Sequence, residues 1–321
     1  MQLTGLHHVT AVTGNTAKNV EFYTHVLGLR LVKQTVNQDD ISAYHLYYAD
    51  ERGNPGTDVT FFDWPHIGSN VSGTGTISTI ALRVSGAQAL DWWAQHLEEN
   101  GVQIQRRGEY AGRASVFFTS PEGMQLALLD DGNAPTTFQP WDKSPIPAHV
   151  AIRGLDAATV IVRHLDRQLD SLALVLTQVL GFKQTREYSL NETDHLVVFE
   201  TGQGGPGTEV HVEVRPNGKA GNLGIGGVHH IAFRTPNPEE HRQWRERLAQ
   251  AGIAVTTVID RFYFKSIYFR VPGGVLFEIA TDGPGFATDE DIEHLGEHLA
   301  LPPFLEEQRA QIEKNLHPLM A

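Results

Sequence analysis

Two His-His dipeptides, His7-His8 and His229-His230, and one glutamate, Glu278, in the strand-like run VLFEIATD, are the residues whose types combine into chemistry in this sequence. Imidazole nitrogens and a carboxylate oxygen form a donor set for a divalent transition metal. Two histidines and one carboxylate leave coordination positions open, the arrangement with which non-haem iron(II) sites hold an organic molecule and dioxygen together. The chain has no cysteine, which excludes a disulfide framework, a thiolate nucleophile and a cysteine-held zinc or iron–sulfur site. Any metal must sit on His, Asp or Glu.

The elements that must position these residues come from a repeat. Four times the chain runs from a strand-like opening into an amphipathic helix pattern and then further strands, a unit of roughly βαβββ. The openings are GLHHVTAVTG (5–14), ISTIALRVS (77–85), DAATVIVRHLD (156–166) and GVHHIAFRTP (227–236). Helix patterns follow in NVEFYTHVLGL (19–29), ALDWWAQHLEENG, TQVLGF (177–182) and HRQWRERLAQAG, and each ends near a glycine, as a helix C-terminus favours. The closing segments are PGTDVTFF, SPEGMQLALLDD, PGTEVHVEV and VPGGVLFEIATD. The expected organisation is module 1 over 1–66, module 2 over 75–132, a proline-containing linker over 133–151, module 3 over 152–216, module 4 over 226–282, and a helical C-terminal extension over 283–321. Phe304, Leu305, Ile312 and Leu316 supply the packing face of that extension.

With 25 basic against 38 acidic residues, a formal charge of −13, the chain repels phosphate backbones and anionic lipid, so nucleic acid and membrane are not expected partners. MQLTGLHHVT has no signal-peptide pattern, and no run of about 18 apolar residues reads as a membrane span, which makes the cytoplasm the default compartment. A homo-oligomer is left open.

Repeated βαβββ units that open on His-bearing strands and close on PGGVLFE resemble the vicinal oxygen chelate superfamily over essentially the whole chain. The resemblance implies an α+β fold in which modules pair into incompletely closed, cupped barrels with a divalent metal inside. Aligned openings place His8 and His230 together, with Thr79 and approximately Thr159 at the same position. Six residues beyond Pro55, Pro121, Pro206 and Pro272 lie Phe61, Ala127, Val212 and Glu278. Side chains alternate faces along a strand, so a residue one position off points out of the cup. Ligands then come only from modules 1 and 4, which requires module 1 to pair with 4 and module 2 with 3. An ideal strand turns His7 and His229 to the opposite face, and the family motif favours the second histidine of each pair.

Within the superfamily, LHHVTAVTG, YHLYYADERGNPGT, GGVHHIAFRT, DRFYFKSIYFRVPGGVLFEIATDGPGF and LPPFLEEQRAQIE resemble hydroquinone ring-cleaving dioxygenases of the chlorohydroquinone 1,2-dioxygenase and methylhydroquinone-resistance type. That resemblance implies a mononuclear iron(II), with manganese(II) as the alternative, on His8, His230 and Glu278. It also implies dioxygen as co-substrate, a small aromatic substrate, and a catalytic pocket of His7, Thr10, His229, Arg261 and Tyr268. His7 or His229 would move protons, Arg261 would stabilise phenolate charge and Tyr268 would hydrogen-bond the distal oxygen. Catechol extradiol enzymes draw their ligands from the C-terminal half, so a ligand at His8 speaks against that branch. Glyoxalase-type lyases or isomerases place a second acid in the pocket, where the proline count puts Phe61. Drug-sequestering members lack the metal ligands.

Three other patterns carry less. Gly202, Gly204 and Gly207 spell G-x-G-x-x-G but run into a strand, so they read as a hairpin turn and not a dinucleotide fingerprint. Glu209, His211 and Glu213 alternate along one strand, and the proline count turns them outward as a solvated face. His294 and His298 have helical metal-pair spacing but no third ligand nearby.

Overall fold

In the computed structural model, residues 1–165 and 171–319 are described; positions 166–170 of the third module and 320–321 of the C-terminal extension lie outside them. The His-bearing opening forms β1 (Leu6–Thr13), and GVHHIAFRTP forms β13 (Val228–Thr235). In β1 both faces are buried, because one side meets the helices and the other faces a cup. That is why polar and apolar residues alternate there without an exposed side.

Module 1 continues through α1 (Thr16–Glu21), β2 (Arg30–Asn37), β3 (Asp40–Ala49) and β4 (Asp58–Asp63). β1 runs parallel to β4, β4 antiparallel to β3, and β3 antiparallel to β2. A parallel pair needs a crossover, and the helix supplies it. The same order recurs with β5 (Thr76–Val84), α2 (Ala87–Glu99), β6 (Ile104–Tyr110), β7 (Arg113–Thr119) and β8 (Gln125–Asp130). It recurs again with β9 (Leu155–Val162), α3 (Leu172–Leu174), β10 (Lys183–Ser189), β11 (His195–Glu200) and β12 (Glu209–Val214). The fourth copy is β13, α4 (Pro238–Gln250), β14 (Ile259–Asp260), β15 (Lys265–Arg270) and β16 (Leu276–Thr281).

The helix expected over 19–29 begins earlier than its pattern. The Asn15 side chain accepts from Lys18 N and caps α1, and a π-helical turn, Phe22–Val26, closes it. α3 is followed by a matching turn, Val175–Val179.

β1 pairs antiparallel with β13, and β5 with β9. Module 1 therefore joins module 4, and module 2 joins module 3, as two open cups. A single β5–β13 pairing, Val228 with Ile77, links the halves, and among the described residues all sixteen strands belong to one sheet that does not close. One apolar core lies between the sheet and the helices, with Tyr23, Trp93, Leu176 and Trp244 among its members. Each cup has its own apolar cluster. Val32, Tyr47, Phe264, Phe286 and Leu295 line the first, and Ala81, Phe117, Ala127, Ala157 and Val198 fill the second.

The C-terminal extension is not one helix. It winds through 3-10 turns at Phe286–Thr288, Ile292–His294 and Pro303–Gln308 before α5 (Arg309–Asn315). Of its expected packing face, Leu305 and Ile312 are buried beside Val36 and Leu301, Leu316 packs at their margin, and Phe304 stands in solvent. It covers the edge strand β2, where Ala300 N donates to Gln34 O at 2.9 Å, and Lys33 reaches out to Asp289 at 2.7 Å and to Glu290. Among the described residues no helix is long and apolar enough to cross a membrane.

Strand pairing corrects the proline count in modules 1 and 3. Glu278 lies opposite Ala232, and Ala232 opposite His8. The symmetry-related row is Thr60, Thr10, His230. In the other half the rows are Ala127, Ala81, Ala157 and His211, Thr159, Thr79. Thr60, not Phe61, is thus the module 1 counterpart of Glu278, and Phe61 packs on the helix side against Tyr23 and Tyr48. Ala157, not Thr159, matches His8. Val212 belongs to the helix-side core, whereas Glu209, His211 and Glu213 are buried in the second cup and form no solvated face. The turns PGTDVTF and PGTEVHV are one residue shorter than PGGVLFE, and a one-residue slip reverses every side chain of a strand.

Candidate metal centre

β1 and β13 are each irregular at their histidine pair. Pairing steps from Leu6–Phe233 to His8–Ala232, and again from Thr10–His230 to Ala11–Val228. An inserted residue re-aims its side chain, so His7 and His229 do not point to the opposite face as an ideal strand would have it. His7 Nδ1 lies 2.9 Å from His8 Nδ1, and His229 Nδ1 lies 2.7 Å from His230 Nδ1.

Three atoms converge in the cup. His230 Nε2 is 2.9 Å from Glu278 Oε2, His8 Nε2 is 3.3 Å from it, and the two Nε2 atoms are 3.2 Å apart. All three residues are buried, and among the described residues they form the one group of His, Cys, Asp or Glu close enough to share a metal. Ser266 Oγ donates to Glu278 Oε1, whereas Glu278 Oε2 has no hydrogen bond of its own although it is buried. A buried carboxylate oxygen left without a donor is costly unless something cationic completes it. Two imidazole nitrogens and that oxygen suit a divalent iron or manganese.

The tautomer of His8 follows from its neighbour. The Thr281 carbonyl can only accept, so His7 Nε2, 3.1 Å away, carries a hydrogen. Burial, reinforced by His8, lowers the His7 pKa well below its ordinary value, and the neutral ring must then accept at Nδ1. His8 consequently donates from Nδ1 and presents a bare lone pair at Nε2, the state a ligand needs.

Around this centre lie the remaining residues read from the sequence. Thr10 Oγ1 meets Thr60 Oγ1 at 2.8 Å. Arg261 Nε donates to Tyr268 OH at 3.3 Å, its Nη2 to Asp39 at 2.7 Å, and its carbonyl accepts from Gln38. The Tyr268 ring stands edge-on to His230. Burial raises the Tyr268 pKa, and the charge of Glu278 adds to it, so the hydroxyl keeps its proton. His45 and Tyr47 of β3 also line the space beside His8 and His230. Both lie in YHLYYADERGNPGT, a segment matched as a whole without a role given to either residue; the signal was the period-2 spacing inside YHLYYAD, which puts both side chains on the cup face.

The second cup holds no such set. Ala157, Thr79, Ala127 and His211 stand at the positions related to His8, His230, Glu278 and Thr60, and ion pairs occupy the interior. Arg113 bonds both oxygens of Asp156 at 2.7 and 2.6 Å and Glu209 at 2.8 Å, while His211 Nε2 is 2.6 Å from Glu209. His294 is exposed in a turn and pairs with Glu297. Gly202, Gly204 and Gly207 lie in the turn of the β11–β12 hairpin.

The family model described as Glyoxalase/Bleomycin resistance protein/Dioxygenase superfamily matches residues 5–128 and 154–279. The chain is 41% identical over 319 residues to "Putative ring-cleaving dioxygenase MhqA" of Bacillus subtilis, covering 99% of this chain and 100% of that protein. It is 32% identical over 311 residues to chlorohydroquinone/hydroquinone 1,2-dioxygenase of Sphingobium indicum, covering 94% and 92%. A crystal structure of a "putative dioxygenase" from Bacillus subtilis superimposes with a TM-score of 0.88 at 38% identity, covering 99% of this chain and 97% of that one. Glyoxalase I from Zea mays, at 15% identity and a TM-score of 0.63 over 92% and 96% of the chains, shares the fold.

Proposed function

The chain belongs to the glyoxalase/bleomycin resistance protein/dioxygenase superfamily, and we propose that it opens a hydroquinone-type dihydroxylated aromatic ring with dioxygen at a mononuclear iron(II) held by His8, His230 and Glu278. The observation that carries this reading is the convergence of His8 Nε2 and His230 Nε2 on a buried carboxylate oxygen that has no hydrogen bond of its own. The similarity to a chlorohydroquinone/hydroquinone 1,2-dioxygenase along nearly its whole length supports the ring class. Thr60 at the position related to Glu278 leaves the cup without a second acid, which favours oxygenation over glyoxalase-type chemistry.

When bound, the metal supplies Lewis acidity and a place where ring oxygen and dioxygen meet. The protein supplies the rest. His7 orients His8 through the hydrogen bonds running to Thr281, so it acts by holding a ligand and not by moving protons, and His229 Nδ1 stands against His230 Nδ1. Arg261, fixed against Tyr268, sets a permanent positive charge where the ring gains negative charge. Phe62 and Phe264 form apolar walls. The space they enclose is about 20 Å³, room for a water but not for a ring.

Anaerobic loading with iron(II), followed by an oxygen electrode with hydroquinone, chlorohydroquinone and catechol, tests the reading. Uptake with the hydroquinones ahead of catechol is expected. Turnover of a thiol hemiacetal without oxygen uptake by any diphenol would overturn it.

A further inference from the structure

The two modules that build the metal cup are related residue by residue, and the relation singles out a side chain with no assigned role. Tyr268 pairs across the strand with Glu278, and Tyr47 pairs with Thr60. Ser266 pairs with Ala280, and His45 with Phe62. Since Thr60 is the counterpart of Glu278, Tyr47 is the counterpart of Tyr268 and His45 that of Ser266. Ser266 hydrogen-bonds Glu278; His45 Nε2 lies 3.0 Å from Thr60 Oγ1. Opposite the metal carboxylate, this half of the cup thus carries a hydroxyl backed by an imidazole.

Hydrogen bonding sets His45 apart from the other imidazoles here. His7 is locked by a carbonyl, and His8 and His230 are spent on the metal. His45 has a hydroxyl at each nitrogen, Thr60 at Nε2 and Tyr47 OH at Nδ1, 2.8 Å away. Each hydroxyl can donate or accept, so the ring adopts either tautomer without losing a bond. It lines the same enclosed space as His8, His230, Arg261 and Tyr268.

We propose that His45 is the proton acceptor of the centre, taking the phenolic proton of the diphenol by way of the Thr60 hydroxyl. This role rests on the dioxygenase reading above. The substrate O–H bond breaks and its electron pair stays on the ring oxygen. The proton passes to Thr60 Oγ1 as the Thr60 proton passes to His45 Nε2, and the imidazolium donates from Nδ1 to Tyr47. No further reactant is needed. Burial, with His8 and His230 adding to it, lowers the His45 pKa well below its ordinary value, so the ring starts neutral. The groups facing it are His8 and His230 from β1 and β13, Arg261, Tyr47 and Tyr268, which disfavour or leave unchanged its charged form, and Glu278, which favours it.

The test compares the iron-loaded protein with H45Q and T60V, first confirming equal bound iron and equal melting. Without oxygen, each is titrated with chlorohydroquinone while near-ultraviolet absorption distinguishes bound phenolate from neutral phenol. Wild type is expected to bind the phenolate at pH 7. H45Q is expected to bind the neutral phenol, ionising it only as the pH approaches the substrate's own pKa, with kcat down about 10²- to 10⁴-fold at pH 7 and recovering in alkali. T60V, which keeps the imidazole and the packing, should fall between. Phenolate binding by H45Q and T60V with the wild-type pH dependence would overturn the role of His45 while leaving the dioxygenase reading intact. Wild type that neither ionises any diphenol nor consumes oxygen would overturn both.

Discussion

His7 and His8 are neighbours in the chain, and the strand irregularity between them separates their tasks. One presents a lone pair to the centre, and the other fixes which nitrogen does so. Replacing a residue that only orients a ligand weakens metal binding without abolishing it, by about 10- to 100-fold. H7F is therefore expected to lower iron(II) affinity by that factor, read by competition with a chelator, whereas H8A leaves no measurable site. Equal affinity in H7F and wild type would show that His7 does not set the tautomer. The donor types themselves were legible in the sequence, because a chain without cysteine has few ways to hold a transition metal. His45 was not, since its meaning depends on Thr60 and Tyr47, whose register was set by folding.

At the scale of elements, β12 shows how much a single residue of turn length decides. Glu209, His211 and Glu213 alternate with valines, and the pattern alone does not say which set faces the helices. The structure buries Glu209 between Arg113, Arg186 and His211. Burial alone would raise its pKa, but the His211 hydrogen bond and charge and the Arg113 charge outweigh that and hold it at about 2, below the ordinary 4.5. The pKa in the fold is depressed, so the stabilisation is complete above pH 4.5 and is lost as pH falls from 4.5 toward about 2. Urea midpoints followed over that range should decline in wild type. E209Q should begin on the order of 3 kcal/mol less stable at neutral pH and decline less steeply. Parallel slopes in the two proteins would remove Glu209 from the account.

For the whole molecule, the order of modules along the chain is not their order in space. Module 1 lies beside module 4, and module 2 beside module 3, through β1–β13 and β5–β9. Cutting the chain between residues 133 and 151 therefore leaves two fragments, each holding half of each cup. Residues 1–132 alone are expected to show no high-affinity iron binding and little cooperative melting. Mixing them with residues 152–321 should restore both, measured by bound iron and by calorimetry. A fragment that folds and binds iron alone would refute the crossed pairing. The two cups have also diverged. The first keeps three ligand atoms around one point, and the second has alanines at two of the matching positions and a buried ion network inside.

The repeat, the donor types and the candidacy of His8, His230 and Glu278 as ligands were legible along the chain, because residue type and the alternation of strands are local properties. The sequence also implied the crossed pairing, since ligands in the first and last modules can meet only if those modules touch. The register of β4 and β12, the turning of His7 and His229 toward their neighbours, and the presence of His45 in the cup emerged with folding. Those depend on strand irregularities and on turns one residue shorter than their counterparts. The alternation of side chains is the same on either register, and only packing against the partner strand selects one.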